Sequence, residues 1–174
     1  MVEFIEDGHI YLLDGVIIPS VSEILHFIFP DKYSNVPNYI LNAKADYGSM
    51  IHESIERLEN NLFLPKLDYI QEASIEQYKK LKNQYKIKVI TQEQMIHYQD
   101  KYCGRFDMIA EINEKYCLCD IKTTAELDQE YLSWQLSFYE LAYMYMFGTT
   151  YFDKLYAIWL PKKGLGKLVE IKRK

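Results

Sequence analysis

Between Cys103 and Thr124 the chain reads CGRFDMIAEINEKYCLCDIKTT, two apolar, strand-like runs on either side of Asn113-Glu114. Runs this short bury their apolar residues most simply by pairing as an antiparallel hairpin. A two-residue turn at Asn113-Glu114, or a four-residue loop about the same centre, sets Ile112 opposite Lys115, Ile109 opposite Leu118 and Asp107 opposite Asp120. Opposed Cβ atoms then lie about 4.5–5.5 Å apart. Half-buried carboxylates at that spacing repel, so one takes up a proton or a cation sits between them. Oxygen ligands of this kind suit Mg²⁺ or Mn²⁺, which bind few protein groups and keep positions open for water and phosphate. Lys122, two residues beyond Asp120, shares its face and can reach the same point. A bare D-x-K tripeptide is usually an exposed ion pair. Here both aspartates follow apolar runs, CGRF and YCLC, in the part of the sheet expected to be most covered.

The surrounding sequence predicts one α/β domain over residues 1–174. The first residues break at Asp7-Gly8 and Asp14-Gly15, both turn dipeptides, which indicates a small hairpin or meander. Ser20 or Ser22 can cap a helix over VSEILHFIF, stopped by Pro30. Ile51, Ile55, Leu58 and Leu62 recur at helical spacing, and a third helix runs from about Tyr69 to Tyr85. From Ile87 the period becomes that of strands: KVITQEQMIHY, KYCGRFDMIAEI and KYCLCDIKTT form an antiparallel meander. A long helix follows, apolar on nearly all sides after Tyr131 and so expected to be mostly buried, ending at Gly148. KLYAIWL and GKLVEIK complete a mixed sheet.

Composition narrows the function. No run approaches the roughly 20 apolar residues of a membrane span, and the first residues lack a secretion signal, so the expectation is a cytoplasmic protein with no membrane partner. The three cysteines, Cys103, Cys117 and Cys119, have no zinc-ligand spacing and are expected to be buried free thiols. The net charge of −5 is unevenly spread: −8 over residues 1–75, +3 over 76–102, −6 over 103–153 and +6 over 154–174. Basic zones flanking an acidic centre suit a substrate that carries phosphates.

Taken in order, the motifs resemble the PD-(D/E)xK nuclease superfamily, and most closely its RecB-type exonuclease branch, which includes phage recombination and mitochondrial genome maintenance exonucleases. GRFD resembles the G-x-x-D strand, and the resemblance implies Asp107 as first metal ligand. DIKT resembles (D/E)-x-K-T, implying Asp120 as second ligand, the Ile121 carbonyl as third, Lys122 as catalytic lysine and Thr123 as a DNA contact. QLSFY resembles the Q-x-x-x-Y helix motif, giving Gln135 and Tyr139 a place near the DNA backbone and the catalytic site. YGSMIHESIE resembles the first motif, implying His52 at the metal or the scissile phosphate, with Gly48 leaving room for close approach. Glu93 stands where many relatives carry an acid that completes the metal site. Arg105 is left between two roles, meeting phosphate or neutralising the acidic cluster.

The resemblance implies a restriction-endonuclease-like core and a Mg²⁺- or Mn²⁺-dependent deoxyribonuclease, an exonuclease before an endonuclease, acting in phage-type recombination or DNA processing. DNA is the implied partner, with a homo-oligomer or a recombination protein as the further partners it admits. Some RecB-type relatives hold an iron–sulfur cluster through four cysteines; with three, all in the central strands, this chain is expected to hold none. No G-x-x-x-x-G-K-[ST] occurs, so ATP-driven unwinding would come from a partner. The rivals are a structure-specific or nicking endonuclease on the same core, and a nucleic-acid- or partner-binding module without catalysis.

Overall fold

The computed structural model describes residues 2–5 and 10–174. An antiparallel N-terminal sheet joins β1 (Val2–Ile5), β2 (Ile10–Leu13) and β3 (Val16–Ile17). Asp14 and Gly15, with φ of 50° and 81°, make the tight turn between β2 and β3; the Asp7-Gly8 turn expected before β2 lies outside the described residues. Helix α1 (Val21–Ile28) begins at Ser20 in a capping box: Ser20 Oγ accepts the Glu23 amide and Glu23 accepts the Ser20 amide. Its cap at Phe29 stands just before Pro30. Helices α2 (Asn38–Glu59) and α3 (Tyr69–Tyr85) follow, the latter capped by Asp68.

The main sheet contains β4 (Lys88–Tyr98), β5 (Tyr102–Ile112), β6 (Lys115–Lys122), β7 (Lys154–Trp159) and β8 (Lys167–Ile171) in chain order. Only β6 and β7 run parallel, and the connection between them carries α4 (Gln129–Phe147). This is an α/β fold with a mixed sheet between helices. On one face α1 and α4 pack Val21, Leu25, Leu132 and Leu136 against Phe106, Ile109 and Leu118. On the other, α2 and α3 pack Ile51, Ile55 and Tyr78 against Met108, Ala110, Cys117 and Cys119. Each fully buried Ile or Leu contributes about 1.5–3 kcal/mol to these layers. The three cysteines are free and buried. No helix among the described residues is long and apolar enough to cross a membrane.

Two expectations need correction. Helix α4 is buried on one side only, through Leu132, Leu136, Tyr139 and Ala142, and its last turns leave Leu141, Tyr145, Met146 and Phe147 exposed. An apolar sequence does not reveal where the sheet beneath a helix ends. The β5–β6 register is as read at Ile112–Lys115 and Ile109–Leu118, but the ladder stops at Met108–Cys119, one pair short of Asp107 and Asp120. The reason lies in β5, whose facing inverts at Asp107: Phe106 packs in one face layer and Met108, of the same parity, in the other.

The hairpin turn itself is two residues long. Asn113 and Glu114 both have positive φ, 49° and 65°, as a type I′ turn requires. Glu114 is exposed and pays a steric cost there that glycine does not. We therefore expect Glu114→Gly to raise stability by about 0.5–1 kcal/mol, or Tm by about 2 °C. A fall in Tm in thermal unfolding would contradict this turn geometry.

Candidate active site

Where β5 changes face, Asp107 takes up two partners. Its Oδ2 accepts the Ile121 amide at 2.6 Å, standing in for the ladder bond that the strands no longer make. Its Oδ1 lies 3.6 Å from His52 Nδ1. Across the β4–β5 pair, between Gln92–Met108 and Gln94–Phe106, Glu93 stands opposite Asp107 and holds Oε1 3.8 Å from the same nitrogen. His52 comes from α2, whose buried residues Tyr47, Ile51 and Ile55 seat it on the sheet. Its Nε2 donates to the Ile121 carbonyl at 3.0 Å, which leaves Nδ1 as the nitrogen facing the carboxylates. One ligand atom from each of His52, Glu93 and Asp107 falls within 4.8 Å of the others.

Anchoring one imidazole nitrogen on a carbonyl while the other faces acidic groups is the usual second-layer support of a metal-binding histidine. The Ile121 carbonyl, implied as a ligand by the resemblance, is engaged in this support.

Asp120 stands outside that group. It is 1% exposed and turns toward α4, with Lys122 Nζ 2.6 Å from Oδ2. Burial, opposed by Lys122 and reinforced by Asp107, pushes the Asp120 carboxyl up to about 6. Burial works against the Lys122 ammonium, but Asp120 and Asp107 outweigh it and hold its pKa above the ordinary value. Arg105 places Nε 2.9 Å from Glu93 Oε2, so of its two expected roles the free protein displays neutralisation. The cluster sets three carboxylates (Glu93, Asp107, Asp120) against three cationic groups (His52, Arg105, Lys122).

Gln135 and Tyr139 sit on the α4 face next to Asp120, and Gln135 Nε2 donates to the Tyr139 hydroxyl at 3.3 Å. Gln135 Oε1 is buried with no hydrogen-bond partner among the described residues. Burial raises the Tyr139 phenol well above its usual range. Thr123 lies just beyond the cluster, lining a neighbouring cavity. A Cβ on Gly48 would meet Thr123 Oγ1 at 3.5 Å, an ordinary contact, so Gly48 is not what close packing demands. Gly104 is: a Cβ there would fall 2.7 Å from the Tyr139 ring. The G of GRFD was visible in the sequence, but its partner, thirty-five positions downstream, was not.

Glu93 carries a φ of 48° inside a strand, an unfavourable conformation for a side chain of its size. Strain of about 1–3 kcal/mol persists where the surrounding structure overrides it, commonly at functional sites. Glu93→Gly should therefore be more stable than Glu93→Ala by about 1 kcal/mol, the reverse of the order in a regular strand. Equal stabilities, or alanine ahead, in denaturant unfolding would remove the strain argument.

Burial disfavours a charged His52, but Asp107 and Glu93 outweigh it and lift the pKa from 6.5 to about 9. A raised folded-state pKa stabilises the fold fully below the unfolded value of about 6.5 and loses that contribution as pH climbs through about 9. In chelator, the stability of the wild type relative to His52→Gln should shrink across this interval. A difference that stays flat with pH would mean that His52 is not held protonated by the two acids.

No family model and no curated protein matches the chain. Among solved structures, the crystal structure of a protein designated SSO0001 aligns with a TM-score of 0.36 and 18% identity, over 57% of this chain and 48% of that one. The aligned part spans about half of that protein, and likeness at this level carries neither fold nor function across.

Proposed function

We propose that the protein is a metal-dependent nuclease of the PD-(D/E)xK kind, with the sheet as a restriction-endonuclease-like core, hydrolysing phosphodiester bonds in DNA from an end. The observation that carries this reading is the convergence of His52, Glu93 and Asp107, from three separate elements, within 4.8 Å, with the buried Asp120 and its partner Lys122 on the adjoining strand. Two carboxylates and an imidazole fit a small divalent ion, Mg²⁺ or Mn²⁺, held by Asp107, Glu93 and His52 Nδ1 with Asp120 beside them. Such an ion supplies Lewis acidity and lowers the pKa of water.

The side chains account for the rest. Charge is balanced in the free site, three against three, with His52 protonated. With a dication held by His52 Nδ1, Glu93 and Asp107 in place of the His52 proton, the residues would carry one positive charge in excess, suited to the single negative charge of a phosphodiester. The site so loaded is matched to a phosphodiester rather than to a neutral substrate. Lys122, kept cationic by Asp120 and Asp107, can orient a water at the phosphorus and offset charge that grows on the phosphoryl oxygens. Arg105 can exchange Glu93 for phosphate, since it is 44% exposed. Tyr139 and Gln135 close the site on the α4 side, with Gln135 Oε1 free to accept.

The test is digestion of end-labelled linear DNA and closed circular DNA with Mg²⁺, Mn²⁺ or EDTA. We expect metal-dependent loss of the linear form alone, and at least about 10²-fold slower loss with Lys122→Ala. Cleavage of the closed circle would assign the protein to the endonucleases instead. A folded wild type that cleaves neither would end the catalytic reading.

A further inference from the structure

Beside the carboxylates lie two adjoining cavities. The first, about 420 Å³, is lined by Lys44, Tyr47, Thr123, Thr124, Lys162 and Lys163. The second, about 540 Å³, carries Lys122 and Gln135 of the site itself together with Lys32, Tyr33 and Tyr131; its acids are Glu126 and Asp128, the latter paired with Lys32. Lys44, Thr124 and Ala125 belong to both walls, so the two make one cleft whose wall includes Lys122. Among the described residues, every ion pair leaves Lys44, Lys162 and Lys163 without a carboxylate partner. Three unneutralised ammonium groups at one cavity, in a chain of net charge −5, mark a place that attracts anions.

The fold presents these lysines deliberately. Lys162 Nζ rests 3.8 Å from the centroid of the Tyr47 ring, and the ring is fixed in turn by a 2.8 Å hydrogen bond between its hydroxyl and Ser74. Gly164, with φ of +105°, turns the chain after Lys163 in a way that a side chain would strain. In the second cavity Tyr33 is 40% exposed, and Lys32 pairs with Asp128 while lying 3.7 Å from the Tyr131 ring centroid. Lysines along a groove with aromatic rings in its wall are the elements by which proteins hold a single strand: ammonium groups track the phosphates and rings stack on unpaired bases. A duplex keeps its bases inside and offers such rings nothing to stack on.

We propose that this cleft binds single-stranded DNA, its phosphates on Lys44, Lys162 and Lys163 and a base against Tyr33, and leads the strand to Lys122. The purpose of the strand rests on the nuclease reading; the binding does not.

The experiment is fluorescence anisotropy in EDTA, where no cleavage occurs, with a labelled oligothymidylate and with a duplex of equal length. The proteins are wild type, Lys162→Glu/Lys163→Glu, Tyr33→Ala, and Lys80→Glu as a charge control on α3, each checked for an unchanged Tm. The single strand should bind more tightly than the duplex. The double variant should lose about tenfold or more, Tyr33→Ala should weaken binding, and Lys80→Glu should stay within about twofold. The salt slope of the double variant should fall by about 1.4, for two lost contacts at about 0.7 each. Tighter duplex binding, equal losses from the double variant and Lys80→Glu, or no binding by wild type would overturn the cleft. A protein that cleaves linear DNA but ignores the double substitution removes the cleft and keeps the nuclease. One that binds the strand through these lysines yet never cleaves does the opposite.

Discussion

The hydrogen bond from the Ile121 amide to Asp107 Oδ2 is the contact on which the site depends. The β5–β6 ladder ends one residue earlier, so the amide would otherwise be left without its strand partner. A buried amide and carboxylate left unpaired would each cost about 1–3 kcal/mol or more. Their union lets the two strands diverge without that penalty. It also aims Asp107 Oδ1 outward, and the Ile121 carbonyl, on the same residue, holds His52 in place. One short stretch of backbone thus orients both an acid from β5 and a base from α2.

Around this contact the electrostatics explain the composition of the site. Glu93, Asp107 and Asp120 could not share so small a volume without Arg105, His52 and Lys122 among them. Each cation is supplied by a different element, and each is held by geometry as well as by charge. Lys44, Lys162 and Lys163 line a cavity together with Thr123 and Thr124, the residues that follow β6. These three lysines thus form a local cluster of positive charge on a chain whose net charge is −5.

Much of the architecture was legible. Tyr69 through Tyr98 needed only local information: helical spacing, then alternation, and α3 and β4 begin and end where those signals change. The aspartates, Lys122 and the Gln135–Tyr139 face could likewise be placed on their elements from sequence. The inversion of β5 at Asp107 could not, because alternation read along a strand assumes a regular pleat. Nor could the positive φ of Glu93, since nothing in TQEQMIHY marks it. Gly48 and Gly104 looked alike as glycines; only the Tyr139 ring, carried in by α4, distinguishes them. The exposed end of α4 was misread for a similar reason.

By itself, then, the sequence determined which segments are helix and strand, the centre of the turn at Asn113-Glu114, the register from Ile112–Lys115 to Ile109–Leu118, and the residue types available for chemistry. Those properties depend on side chains within a few positions of one another, where periodicity and steric preference act. The tertiary structure alone decided that Asp107 would partner His52 and Glu93 while Asp120 turned to Lys122, and that Lys44 and Lys163 would line one cavity. Such choices are made between groups tens of residues apart, and they follow from where two strands part and which helix crosses the gap.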